Sequence, residues 1–192
     1  ARTGPIVISF FANAITNSTN SLINSSHLIT KIYFPRVLIP VAAVTAGLVD
    51  FALSTVLLLL AMVYYRVPPS WSLLLVPLLV AFTMVIALAA GMVLSALNVR
   101  YRDIRHVVPF AMQLWMFASP VVYPASVVPA EWRSLLALNP MTGIIETFRA
   151  VLFQQSVIEW KILTISAAVT LAFFLFSAFA FRRLEKGFAD II

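Results

Sequence analysis

The segment from Phe10 to Asn24 carries four carboxamides, Asn13, Asn17, Asn20 and Asn24, spaced four, three and four residues apart. Residues three and four apart share one face of an α-helix, so this spacing lays the amides along a single stripe. Thr16 and Ser21 widen it. A carboxamide both donates and accepts hydrogen bonds, as a sugar hydroxyl does. The stripe therefore suits the wall of a passage for a neutral or weakly charged polyhydroxylated chain. It also suits pairing between helices, because Asn and Ser hydrogen-bond across helix interfaces in membranes. The residues alone leave both readings open. Phe10, Phe11, Trp115 and Tyr123 border the stripe or the proline-broken region that follows, and are candidates to stack on sugar rings. Most other aromatics, such as Tyr64, Trp71 and Trp160, stand at the ends of apolar runs and fit an interfacial belt.

A second cluster lies in NVRYRDIRHVVP, residues 98–109, with Arg100, Tyr101, Arg102, Asp103, Arg105 and His106. It fits an anchor at anionic headgroups or a short docking helix against a cytoplasmic partner. The mixed charge, Tyr101 and the fixed exit at Pro109 favour docking. Asp50 is the only ionisable residue deep within an apolar run. No buried acid or His accompanies it as a relay, so a structural role is expected. There is no Gly-x-x-x-x-Gly-Lys-Ser/Thr loop for a nucleotide's phosphates. His27 and His106 lack a metal-ligand spacing, and no Ser-His-acid trio suggests itself. The expectation is no catalytic residue, no metal ligand and no enzyme activity in this chain. A stand-alone secondary transporter calls for intramembrane charge pairs and inverted repeats, and neither is visible.

These residues must be positioned by helices in a bilayer. The chain is 62% hydrophobic and only 10% charged, with mean hydropathy +1.01. Soluble domains run at about 45–50% apolar and about 25% charged. Four apolar runs, 38–64, 73–97, 107–125 and 162–181, approach or exceed the ~20 residues that a crossing helix needs. The amide-bearing run 6–26 makes a fifth. The fold class is thus an all-α polytopic membrane protein with five transmembrane helices. Between 119 and 155, Pro120, Pro124, Pro129 and Pro140 interrupt a stretch that stays apolar. Broken helices at membrane depth persist only where protein or a water-filled cavity covers them. Short re-entrant or interfacial helices at about 129–138 and 141–153 are expected there, an external region over 129–153; a loop lying on the headgroups is the alternative.

Orientation follows from the basic residues. Lys31, Arg36, Arg100, Arg102, Arg105, Arg182, Arg183 and Lys186 fall on one side, and Arg66, Arg133, Arg149 and Lys161 on the other. The richer side, with the C-terminus, is expected to be cytoplasmic. Basic charge placed between apolar runs argues against nucleic acid as a partner. The absence of cysteine excludes disulfides. Five spans ending in the cytoplasm begin outside, so 1–192 is expected to be a single transmembrane domain truncated at its N-terminus, with a mature chain whose leader was removed as the alternative.

The segments LITKIYFPRVLIP (28–40), NVRYRDIRHVVPF (98–110), WMFASPVVYP (115–124) and LNPMTGIIETFRAVLF (138–153) resemble the type-2 ABC permeases. The branch that exports O-antigen, capsular polysaccharide and teichoic acid is the most similar. The resemblance implies six transmembrane helices in the full-length permease, a paired second copy, and two separate cytoplasmic ATPase subunits that hold ATP and magnesium. It implies a lipid-linked glycan as substrate and the bacterial inner membrane as location. It also implies that Thr30, Lys31, Tyr33, Phe34 and Arg36 dock the ATPase, that Arg100 to Arg105 face it, that the re-entrant helices close the channel exit, and that the amide-bearing helix lines the pore. A type-2 exporter of drugs or small lipids is the alternative within the same family.

Overall fold

A computed structural model describes residues 3–25, 35–64, 71–120, 129, 136, 138–153 and 158–185. The first helix, α1, spans Thr3–Asn24. Ser, Thr and Asn ordinarily compete with a helix by bonding nearby backbone. Here they bond backwards within it. Thr16 Oγ1 donates to the Ala12 carbonyl at 2.8 Å, Thr19 Oγ1 to Ile15 at 2.7 Å, and Asn20 Nδ2 to Thr16 at 3.1 Å. Ser21 Oγ donates to the Ser18 carbonyl at 2.7 Å. The polar segment thus satisfies much of itself and stays helical.

Helix α2, Leu38–Tyr64, has 27 residues, about 40 Å at 1.5 Å per residue. A 3-10 turn at Trp71–Leu75 leads into α3, Val76–Arg100, whose Pro77 sits in the first turn, where its missing N–H is not needed. Helix α4 runs Ile104–Ala118. It begins earlier than the apolar run 107–125 because the Asp103 carbonyl accepts from His106 and Val107, at 3.0 and 3.3 Å, and winds the first turn. It stops at Ser119, held extended at φ −103°, ψ 148°, as expected before Pro120. Its 15 residues reach only about 22 Å, short of the ~30 Å hydrocarbon core. Residues 121–125 lie outside the described residues.

Helix α5, Pro140–Phe153, begins on an Asn-Pro pair. Asn139 Oδ1 accepts from the Met141 N–H at 3.1 Å, capping the helix. Its Nδ2 donates to Ser119 Oγ at 2.9 Å, joining the start of α5 to the end of α4. Of the expected helix 129–138, all but 129, 136 and 138 lie outside the described residues. Helix α6, Trp160–Glu185, ends on Arg182 and Arg183, cations suited to the negative end of a helix.

Among the described residues, the stretches Leu38–Leu57, Trp71–Arg100 and Trp160–Glu185 are long and apolar enough to cross a membrane. With helices throughout, the chain is a polytopic all-α membrane protein. Helix α1 packs against α3 and α2, and α4 and α5 lean on it; α3 also packs on α6. Phe10 on α1 meets Phe51 on α2 at 4.9 Å between ring centroids, and Phe51 meets Phe148 on α5 at 6.4 Å. The outer faces of α2 and α6 stay apolar and exposed, with Leu53, Leu57, Leu175 and Phe176. That suits lipid.

The two ends of the bundle differ. At one end Leu22, Ile39, Met92, Ala96, Val99 and Phe181 form a buried cluster from α1, α2, α3 and α6. Arg36 donates there to the Glu185 carbonyl at 2.9 Å, so the start of α2 braces the end of α6. Arg100, Arg182 and Arg183 share this end. The opposite end carries exposed Tyr64, Trp71 and Trp160, rings that favour a membrane–water boundary.

Candidate functional site

The amide stripe divides along the length of α1. Asn13, Asn17 and Asn24 are exposed, while Asn20 is half-buried. Ser9, four residues before Asn13, is exposed as well and extends the row. Ser9 to Asn24 is fifteen residues, about 22 Å of axial length. Asn13, Asn17 and Asn24 bond to nothing among the described residues, so their donors and acceptors point away from the bundle unspent. The inner edge of α1 behaves differently. Ser18, Thr19 and Ser21 are buried. Asn98 on α3 donates from Nδ2 to the Thr19 carbonyl at 2.9 Å, and Asn20 Oδ1 lies 3.5 Å from the same nitrogen. The outward row and the inward glue are therefore neighbouring edges of one helix.

Close packing fixes where the row points. A Cβ added at Gly91 of α3 would lie 2.7 Å from Ser18 Cβ, so only glycine lets the two helices approach there. Gly47 of α2 similarly faces Phe10 Cε2, at 3.2 Å from an added Cβ. With α2 and α3 seated against it, the exposed residues of α1, among those described, are Ser9, Asn13, Asn17 and Asn24 on that one edge.

The aromatic candidates fall out unevenly. Phe10 and Phe11 are 6% and 2% exposed, so the structure places both rings in the protein core rather than on an open wall. Phe10 fills the notch that Gly47 leaves, and Phe11 lies 6.2 Å from the Trp115 ring. Trp115 on α4 is 37% exposed and offers part of its surface beside α1. Tyr123 lies outside the described residues.

The docking candidates Thr30, Lys31, Tyr33 and Phe34 also lie outside the described residues. Arg36 is half-buried and bound to α6. Arg100, Tyr101, Arg102, Asp103 and Arg105 are exposed as a group. Two backbone bonds hold the turn that bears them: Tyr101 N–H to the Leu97 carbonyl at 2.7 Å, and Ile104 N–H to the Tyr101 carbonyl at 3.1 Å. Arg100 lies over the Tyr101 ring at 5.7 Å, and Arg105 Nε contacts His106 Nε2 at 3.0 Å. The turn is a basic knob at the Arg-rich end. Asp50 stands exposed midway along α2, beside Val49 and Leu53, with no ion pair among the described residues.

Sequence reasoning missed two residues. Ser9 was legible, since it continues the four-residue step. Asn98 was not: beside Arg100 it looks like a loop residue, yet it ends a buried helical face.

Comparison with known proteins shows the family. Residues 6–153 match the family described as ABC-2 type transporter. A Myxococcus xanthus protein named O-antigen export system permease protein RfbA is 31% identical over 185 residues, covering 95% of this chain and 71% of its own length. A Klebsiella pneumoniae protein of the same name is 25% identical over 191 residues, 99% of this chain and 73% of its own. A second from Klebsiella pneumoniae is 24% identical over 194 residues, again covering 99% and 73%.

Proposed function

The chain belongs to the ABC-2 type transporter family as the permease subunit of an ATP-driven polysaccharide exporter, and on that premise we propose that the outward edge of α1 is the wall its glycan slides along. One observation carries this reading. Asn13, Asn17 and Asn24 are exposed, lie in one row, and have no hydrogen-bond partner among the described residues. An amide facing hydrocarbon loses its hydrogen bonds with water at a cost of several kcal/mol, so water, glycan or other protein must meet this row. Sugar hydroxyls match its chemistry group for group.

The names of the relatives suggest an O-antigen-type, lipid-linked polysaccharide as cargo. The family implies a separate ATPase subunit that binds ATP and magnesium and drives the cycle. The exposed turn Arg100–Arg105 is the docking knob for that ATPase, aided by the 30–36 segment. A second copy of the chain completes the conduit. The Arg-rich end and the C-terminus face the cytoplasm across the bacterial inner membrane. We read the runs 6–26 and 107–125, whose described parts are α1 and the shorter α4, as the crossings that bring the three clear spans to five, and α5 as part of an external re-entrant region over 129–153.

The test is Asn13→Leu with Asn17→Leu in the full-length permease bound to its ATPase. The expected outcome is normal assembly and ATP hydrolysis, with glycan export reduced at least tenfold. Unchanged export would remove the row from the path. Loss of assembly would mean that the row is a protein seam.

A further inference from the structure

Between the basic turn and the amide row lies one directional contact. Asn98 is fully buried, two residues before Arg100 and near the end of α3. Its Nδ2 reaches both the Thr19 carbonyl and Asn20 Oδ1 on α1. The carbonyl fixes which end of the amide is nitrogen. Its Oδ1 is buried without a partner. A buried orphan acceptor is unfavourable, which makes this side chain a poor choice if packing alone decided the position. Leucine would fill similar space with no orphan.

The rest of the α1–α3 contact carries no hydrogen bond among the described residues: Ser18 of α1 sits against Gly91 with its buried Oγ unpartnered, and Leu22 of α1 clusters with Met92 and Ala96 of α3. Such contacts are non-directional. Among the described residues Asn98 alone hydrogen-bonds α3 to α1. It grips α1 at Asn20, between the exposed Asn17 and Asn24. On its other side α3 runs without a break to Arg100 and the bonded turn Tyr101–Ile104. A push on the turn therefore arrives at Asn98 through one helical turn of backbone.

We propose that Asn98 is a positioning residue that ties the basic turn to the amide row, so that displacement of the turn by its ATPase carries α1 with it. This rests on the docking and conduit readings above. The tie keeps ATP hydrolysis and the movement of the wall in step; without it the turn still binds its partner while α1 slips.

Asn98→Leu in the full-length permease–ATPase complex is expected to leave copurification intact and ATP hydrolysis within twofold, and to lower glycan exported per ATP at least tenfold. A second experiment stands if that variant fails to fold. The chain has no cysteine. Asn20→Cys with Asn98→Cys, in a complex whose remaining segments and ATPase have been cleared of cysteine, therefore gives two unique thiols, which a short bifunctional thiol reagent joins. Before crosslinking, export per ATP is expected to be low; after crosslinking, at least half is regained, because a covalent link replaces the hydrogen bond. A wild-type ratio in Asn98→Leu, or no gain on crosslinking, overturns the tie. Docking is tested separately by ATPase copurification with Arg102→Glu/Arg105→Glu. If that pair releases the ATPase while the Asn98 variants export normally, the tie alone fails. If it leaves the ATPase bound while the Asn98 variants uncouple, docking alone fails.

Discussion

Replacing Gly91 by alanine tests whether α1 and α3 must touch. The new Cβ would lie 2.7 Å from Ser18 Cβ, where carbon atoms rest at about 3.5–4.0 Å. The helices must part by roughly 1 Å, since Ser18 Cβ is fixed to backbone and cannot rotate away. Overpacking of this kind costs about 1–3 kcal/mol. The same parting, two helical turns further along α3, stretches the Asn98–Thr19 bond from 2.9 Å toward the limit of a hydrogen bond, forfeiting about 1 kcal/mol more. Against this, alanine is favoured over glycine in a helix by about 1 kcal/mol. The net expectation is a loss of about 1–3 kcal/mol. Unfolding of the intact permease in mixed micelles by titrated SDS measures it. Ser18→Gly removes the opposing Cβ, so the double variant should recover most of the loss. The coupling between the two sites should exceed about 1 kcal/mol, as expected for residues in contact. Wild-type stability in Gly91→Ala, or no recovery in the double variant, refutes the close approach.

Gly143→Ala should behave likewise, because its Cβ would lie 2.8 Å from Ser166 Cβ on α6; Tm falls by several degrees and Ser166→Gly restores it. Asn20→Leu should lower stability by about 1 kcal/mol, with loss of its bonds to Thr16 and Asn98. Asn17→Leu, whose amide bonds to nothing among the described residues, should leave stability unchanged and lower export, and the same SDS titration separates the two. Arg102→Glu/Arg105→Glu should release the ATPase with no loss of permease stability, since both side chains are exposed; copurification and SDS titration report the two effects.

Much of the bundle was legible because hydrophobic length and period are local properties. The uninterrupted runs behind α2, α3 and α6 announce themselves, and the four-residue step of the amides announces α1. Helix ends were less visible, since apolarity does not mark them: α4 stops at Ser119 under the influence of Pro120, although Val121 and Val122 continue the apolar run. Pairing was least visible. Phe10 neighbours the amide row in sequence, but the notch at Gly47 takes it inward. Whether Asn98 caps a helix, lines a loop or grips another helix depends on what lies across from it, and Thr19 is 79 residues away. Along α1 the row was readable; its division into an outward edge and an inward edge required the neighbouring helices.

The backward bonding of the α1 hydroxyls has a consequence for transit. Because Thr16, Thr19 and Ser21 donate to their own helix, the open edge offers, among the described residues, the Ser9 hydroxyl and widely separated neutral amides. Asn13 to Asn17 is about 6 Å along the axis and Asn17 to Asn24 about 10 Å. Each forms a hydrogen bond worth about 1 kcal/mol net, and no fixed charge lies among them to arrest a sugar. A polymer on this path meets a series of shallow, evenly matched footholds, each weak enough to release before the next one holds.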